Sequence, residues 1–376
     1  MIILSIETSC DETAAAVTRS DPTGSTLLSD IVSSQVKLHA AWGGVVPNLA
    51  AREHLKNIMP VIKEALAGAN VTQKDIDLIA VTNGPGLIPA LLVGVGAAKT
   101  LSYLWNVPLL GIHHIEGHIY ANFVREVKIH PPAGEAGKSK IKSDEVKFPI
   151  LCLVVSGGHT QLVLMKKHLD YDIVGQTLDD AAGEAFDKVA RILELGYPGG
   201  PAISARAEKF KITENPKYQL LDTELPRPMA NSKDFNFSFS GLKTAVLYKY
   251  RALQKDLPDD KKEILITELA AEFQKATTDV LVAKTIAAAK KYGTRTIMLA
   301  GGVSANTKLR QTLAEKVTKE LEGVDCILPD VKYSGDNAAM IGTAAHFHIQ
   351  MTKEKKIWKD NWKKLEALAD LKLKNL

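Results

Sequence analysis

Cysteine is scarce: Cys10, Cys152 and Cys326 are the only three in 376 residues. They are widely separated and each lies beside an apolar stretch, which excludes a disulfide framework and points to a reducing compartment. Long apolar runs are missing too, none approaching the roughly 20 residues that cross a bilayer. The first apolar stretch, Ile2 to Ile6, follows Met1 directly and leaves no room for a leader peptide. The expectation is a cytoplasmic protein without membrane attachment. Also absent is the HExxH of zinc proteases, because between His114 and His118 Glu116 stands second after His114 rather than first.

What is present is ordinary for a globular chain, 45% hydrophobic and 24% charged, long enough for one large or two medium domains. The net charge of +4 resides in residues 353–376, where eight lysines face four carboxylates. Such a tail reads as a solvated helix face that could also lie against phosphates.

The stretch with most chemistry is HHIEGH, residues 113–118. An apolar strand, Val107 to Ile112, precedes it, and the histidines then open a helix. His114 and His118 are one turn apart on one face, the spacing of two transition-metal ligands or of an ordinary helix pair.

The chain repeats one plan. Ile2 to Ile6, the tip ETSCDET and Ala14 to Thr18 form strand, turn and strand, with a further strand from Thr26 to Ser33. Ile150 to Val155, the tip SGGHT and Gln161 to Met165 do so again. The first tip offers Ser9, Asp11, Glu12 and Thr13. The glycines of the second let backbone amides approach an anion. Two copies predict a duplicated, two-lobed α/β architecture with a central cleft, residues 1–112 plus 330–376 forming one lobe and 113–329 the other.

Between and after the copies, helices are predicted over 53–67, 91–101, 179–194, 264–291 and 308–321. GYPGGP, 196–201, ends the third. Residues 128–147, with prolines, glycines and scattered charge, read as a surface insertion. Thr296 to Ala300 runs into GGVSAN and a helix, a glycine turn at a helix N-terminus that suits a nucleotide. In SGDNAAMIG, Asp336 sits at the start of the last core helix, where a carboxylate is often a cap.

In order, ETSCDET, VVPNLAAREH, NGPG, HHIEGH, VSGGHTQ, DDAAGEAFDK, YPGGP, FSFSGLKT, AGGVSAN and SGDNAAM resemble the universal tRNA adenosine threonylcarbamoyltransferase family over residues 1–348. The tail and the 128–147 insertion fall outside the resemblance. It implies the fold shared by actin, sugar kinases and the seventy-kilodalton chaperones. It also implies metal ligands at His114, His118 and Asp336, usually holding Fe2+, with Zn2+ possible, the metal bridging the cleft. Implied substrate-binding positions are Val154, Val155, Ser156, Gly157, Gly158, Asp187, Gly200 and Asn306. The last motif reads SGDNAAM where the family often has Cys-Thr before the aspartate, a change that leaves Asp336 in place.

The implied reaction moves threonylcarbamoyl from threonylcarbamoyl-AMP to N6 of the adenosine beside the anticodon. Amides of Ser156 to Gly158 would face the phosphate or oxyanion, and Asp187 and Asn306 the hydroxyls. Asp11, Glu12 and solvent all stay open as the proton acceptor. The chain has no P-loop GxxxxGK[ST] and no synthase segment, so the donor comes from a separate synthase. Relatives imply a paralogous partner with a small P-loop ATPase, or a homodimer. The alternative is a sugar- or acetate-kinase-like phosphotransferase, which has little use for paired imidazoles because magnesium prefers oxygen ligands.

Overall fold

The computed structural model describes residues 1–126, 146–210, 224–352 and 358–373. Two sheets carry the duplication. The first contains β1 (Ile2–Glu7), β2 (Glu12–Asp21), β3 (Gly24–Ser34), β4 (Leu78–Gly84), β5 (Leu109–His113) and β6 (Arg125–Glu126), in the order β5-β4-β1-β2-β3-β6. The second contains β7 (Ile150–Val155), β8 (Thr160–Lys167), β9 (Asp170–Gln176), β10 (Thr296–Ala300) and β11 (Asp325–Ile327), in the order β11-β10-β7-β8-β9. In each, one strand starts an antiparallel meander on one side and pairs parallel with a later strand on the other. Registers Glu7↔Ala14 and Val155↔Thr160 close the two hairpins at the two tips.

The helices are α1 (Val36–Ala40), α2 (Pro47–Gly68), α3 (Ile88–Trp105), α4 (His114–Tyr120), α5 (Ala182–Ile192), α6 (Gly199–Phe210), α7 (Ser240–Leu253), α8 (Asp259–Tyr292), α9 (Thr307–Glu320) and α10 (Ala338–Met351). They stack in layers because β1 and β7 are apolar on both faces and need cover on both. Helices α2 and α3 cover the outer face of the first sheet, and α5, α7, α8 and α9 that of the second. Between the sheets lie α4 and α10: Ile115 and Ile119 share a core with Ile150, Cys152 and Met298 as well as with Ala338 and Ile341. Thus residues 113–126, grouped by sequence with the second lobe, supply a helix wedged between the sheets and a strand, β6, paired with β3.

Three local expectations change. The helix over 264–291 is one 34-residue element that begins at Asp259, with two aspartates in its first turn, and ends at Gly293 with φ +58°. The GYPGGP turn not only ends α5 but starts α6 at Gly199. The described part of the tail is not a solvated helix but an irregular strap with a short 3-10 turn at Asn361–Lys363, packed on the first lobe through Trp362 and Leu365. Most of the 128–147 insertion lies outside the described residues. Helix α3 is long and apolar enough to cross a membrane by length and composition, yet its Ala90, Leu91, Val95 and Ala98 are buried in the protein core. All three cysteines are free thiols.

Candidate metal centre and cleft

Strand β5 runs straight into α4, and His113 caps that helix, its Nδ1 accepting the Ile115 amide at 3.1 Å. One turn of helix then sets His114 and His118 edge to face, ring centroids 4.6 Å apart and planes at 75°. The glycine between them has a packing reason. A Cβ at Gly117 would stand 2.7 Å from Ile341 Cδ1 and 3.2 Å from Met340 Cγ, so glycine lets α4 close on α10 without displacing those side chains. That approach brings in Asp336, just before α10. Asn337 is the residue that caps α10, accepting the Met340 amide at 2.9 Å, which leaves the Asp336 carboxylate for the imidazoles.

Asp336 Oδ1 lies 3.2 Å from His118 Nε2 and 3.6 Å from His114 Nε2. One donor atom from each of the three residues falls within 4.8 Å of the others. The three donors come from one helix pair that packs between the two sheets. His118 is buried, and neither of its ring nitrogens makes a hydrogen bond of good geometry among the described residues. Orphaned buried nitrogens beside a carboxylate are what a cation would satisfy, and two imidazoles with one carboxylate match a facial set for iron or zinc. Burial works against a charge on His114, but Asp336 and Glu7 outweigh it and raise the imidazole to about 9. Burial also opposes charge on Asp336, and the two histidines overcome it, holding the carboxyl at about 2.

The first residue of ETSCDET, not among the candidates drawn from that tip, holds His114 from behind. Glu7, fully buried at the end of β1, has Oε2 at 3.2 Å from His114 Nδ1, and accepts the Thr82 hydroxyl and the Ser9 amide. On the opposite face of α4, Glu116 meets His348 Nε2 at 2.6 Å and the Tyr171 hydroxyl at 3.0 Å, pinning the helix to α10 and β9.

The second tip faces this centre. Burial, reinforced by His114, His113, His118, lowers His159 to about 4, so its ring is neutral. The Ser156 amide donates to the His159 carbonyl at 2.8 Å and closes the turn, so it does not point at a ligand. Gly157 and Gly158 border open space, and no hydrogen bond occupies their amides among the described residues. The side chains of Val154 and Val155 are fully buried in the core, leaving only backbone to face a substrate.

Next to the tip is a cavity of about 380 Å³, lined by Gly157, Asp187, Gly200, Ser204, Gly302 and Asn306 among others. Its size suits a nucleoside-sized ligand. Gly199 is required there, since a Cβ would stand 2.4 Å from Asp187 Cα. Asp187 Oδ1 accepts the Gly199 amide at 2.7 Å, and burial raises its carboxyl. Asn306 is committed at both ends: Oδ1 caps α9 through Leu309, while Nδ2 donates to Ser204 Oγ at 3.0 Å and Gln274 Oε1 at 2.9 Å. It shapes the cavity wall rather than reaching for a hydroxyl. At the first tip, Asp11 Oδ2 is buried without a partner, and burial with Asp336 and Asp11 pushes Glu12 up to about 9.

A duplicated α/β fold with a nucleoside-sized cavity in its second lobe and a separate His-His-Asp donor set defines a two-lobed α/β protein with a candidate metal centre. The fold is similar to that of HypF from T. kodakarensis, with TM-score 0.56 at 13% identity over 94% of this chain and 48% of that one. The model of the TsaD family, tRNA N6-adenosine threonylcarbamoyltransferase, matches residues 26–343. Curated proteins of that name are similar throughout: 47% identical in Syntrophomonas wolfei, over 92% of both chains, and 48% in Bacillus subtilis, over 92% of this chain and 89% of the other. The chain belongs to the tRNA N6-adenosine threonylcarbamoyltransferase family.

Proposed function

We propose that this chain transfers the threonylcarbamoyl group from threonylcarbamoyl-AMP to N6 of adenosine 37 in tRNAs reading codons that start with A. The observation carrying the reading is the His114–His118–Asp336 group beside the Gly157–Gly158 tip, in a chain of this family. His114, His118 and Asp336 hold the metal, Fe2+ or in its place Zn2+, which supplies Lewis acidity toward the oxygens of the donor when bound.

The rest falls to the chain. The adenylate occupies the cavity, with Asp187 and the Gly200 backbone at its wall and Asn306 keeping that wall in place. The free amides of Gly157 and Gly158 donate to the phosphate and to charge developing on the carbonyl oxygen. The lone pair of adenine N6 attacks the carbamoyl carbon, the C–O bond of the mixed anhydride breaks, and AMP leaves with the bonding pair. The N6 proton passes to Asp11, whose buried oxygen lacks a partner. Holding donor and nucleophile in line supplies most of the rate, because the acyl group arrives activated.

Residues 1–126 with 330–376 act as one lobe and 146–329 as the other, a division moved from residue 112 because β6 pairs with β3. The donor comes from a separate synthase, and the enzyme works in the cytoplasm with a paralogous partner and a small P-loop ATPase, or as a homodimer. The test is transfer of labelled threonylcarbamoyl to unmodified tRNA by wild type and by His118→Ala. Transfer that collapses in a folded mutant supports the reading. No transfer by wild type with Fe2+ or Zn2+ and bacterial partner proteins overturns it.

A further inference from the structure

The lysine-rich tail is tied to the metal helix. From Asn361 to Leu371 the strap lies along β4 and β5, held chiefly through its backbone. Leu109 O accepts from Asn361 Nδ2 at 3.0 Å, Leu365 O from Lys99 Nζ at 3.1 Å, and Asn83 O from the Leu368 amide at 2.8 Å. The lobe is cut to receive it. A Cβ at Gly84 would stand 2.1 Å from Leu368 O, and one at Gly111 would stand 2.6 Å from Leu365 Cδ1. The last contact reaches His113: its Nε2 donates to Leu371 O at 2.9 Å.

A neutral imidazole has one N–H, so donation from Nε2 leaves Nδ1 an acceptor, and Nδ1 does accept the Ile115 amide at 3.1 Å. Two backbone groups, one in the strap and one in the first turn of α4, therefore fix a single tautomer and ring orientation. Helix α4 has only seven residues. A helix so short does not hold itself, and its direction depends on caps and packing.

We propose that His113 is a positioning residue for His114, and that the C-terminal strap acts through it to set the first turn of the metal helix. The proposal rests on the reading of His114 as a metal ligand. Groups that orient a ligand from outside its coordination sphere typically change metal affinity by about 10–100-fold.

The test uses full-length protein with Co2+ as the probe, read by visible ligand-field absorption, together with hydrogen exchange of the 113–120 and 365–371 amides. Leu368→Pro removes the amide that bonds Asn83 and loosens the strap without touching the site. His113→Asn keeps the helix cap but is too short to reach Leu371. Each variant is expected to bind Co2+ about tenfold more weakly with faster exchange in 113–120, and the double variant to be no worse than the poorer single one. A Leu368→Pro protein whose strap exchanges fast while Co2+ affinity and α4 exchange match wild type overturns the proposal. If wild type takes up no Co2+, the ligand reading fails. The exchange of 113–120 in Leu368→Pro then decides the strap's hold on α4 alone, faster exchange supporting it and unchanged exchange overturning it.

Discussion

Glu7 and Asp336 take opposite nitrogens of His114: Glu7 Oε2 lies 3.2 Å from Nδ1, and Asp336 Oδ1 lies 3.6 Å from Nε2. A carboxylate behind a ligating imidazole fixes its tautomer and strengthens it as a donor. Glu7→Gln keeps the shape but removes the charge. Metal affinity in a chelator competition should fall by about 10–100-fold, with transfer restored at high metal.

Stripping the metal should separate binding from chemistry. The cavity is lined by the second lobe, away from the three donors. Chelator-treated protein, and His118→Ala, should lose transfer while calorimetry still detects AMP with affinity within a fewfold of wild type.

The two carboxylates of the first tip should behave differently. Asp11 has a buried oxygen without a partner, whereas Glu12 is held protonated by burial. Asp11→Asn should lower single-turnover transfer by about 10²-fold or more, the size of a proton-transfer contribution. Glu12→Gln should cost under about tenfold.

Stability should respond to pH through Asp30. Burial raises its carboxyl from 3.8 to about 6. Between those values the native state binds more protons than the unfolded chain, so stability falls as pH rises through that window and stays reduced above it. A shift of this size corresponds to at most about 3 kcal/mol. Asp30→Asn should raise the melting temperature by a few degrees at pH 8 and leave it unchanged at pH 3.

The duplication was legible because apolar runs ending in small polar tips occur twice, and the histidine pair because four residues make one helical turn. Glu7 was not, since nothing local in IILSIE shows that a histidine 107 positions away will meet its carboxylate. The strap was misread because its lysines dominate the composition, while it is held by backbone groups and by Trp362 and Leu365. Helix α6 was hidden for a related reason: glycine and proline mark a helix end, and the same residues open the next helix. Asn306 falls where the glycine turn was expected, but only packing reveals that both ends of its amide are taken by Leu309, Ser204 and Gln274.

The shortness of the connection at Gly117 has an evolutionary corollary. Because α4 meets α10 where a Cβ would press on the Ile341 and Met340 side chains, any larger residue at 117 must be accommodated by repacking on the helix that follows Asp336. Positions 117, 340 and 341 are therefore coupled, the size of one limiting the others. Gly117→Ala leaves every ligand in the sequence and reaches the centre only through what those two side chains must do to make room.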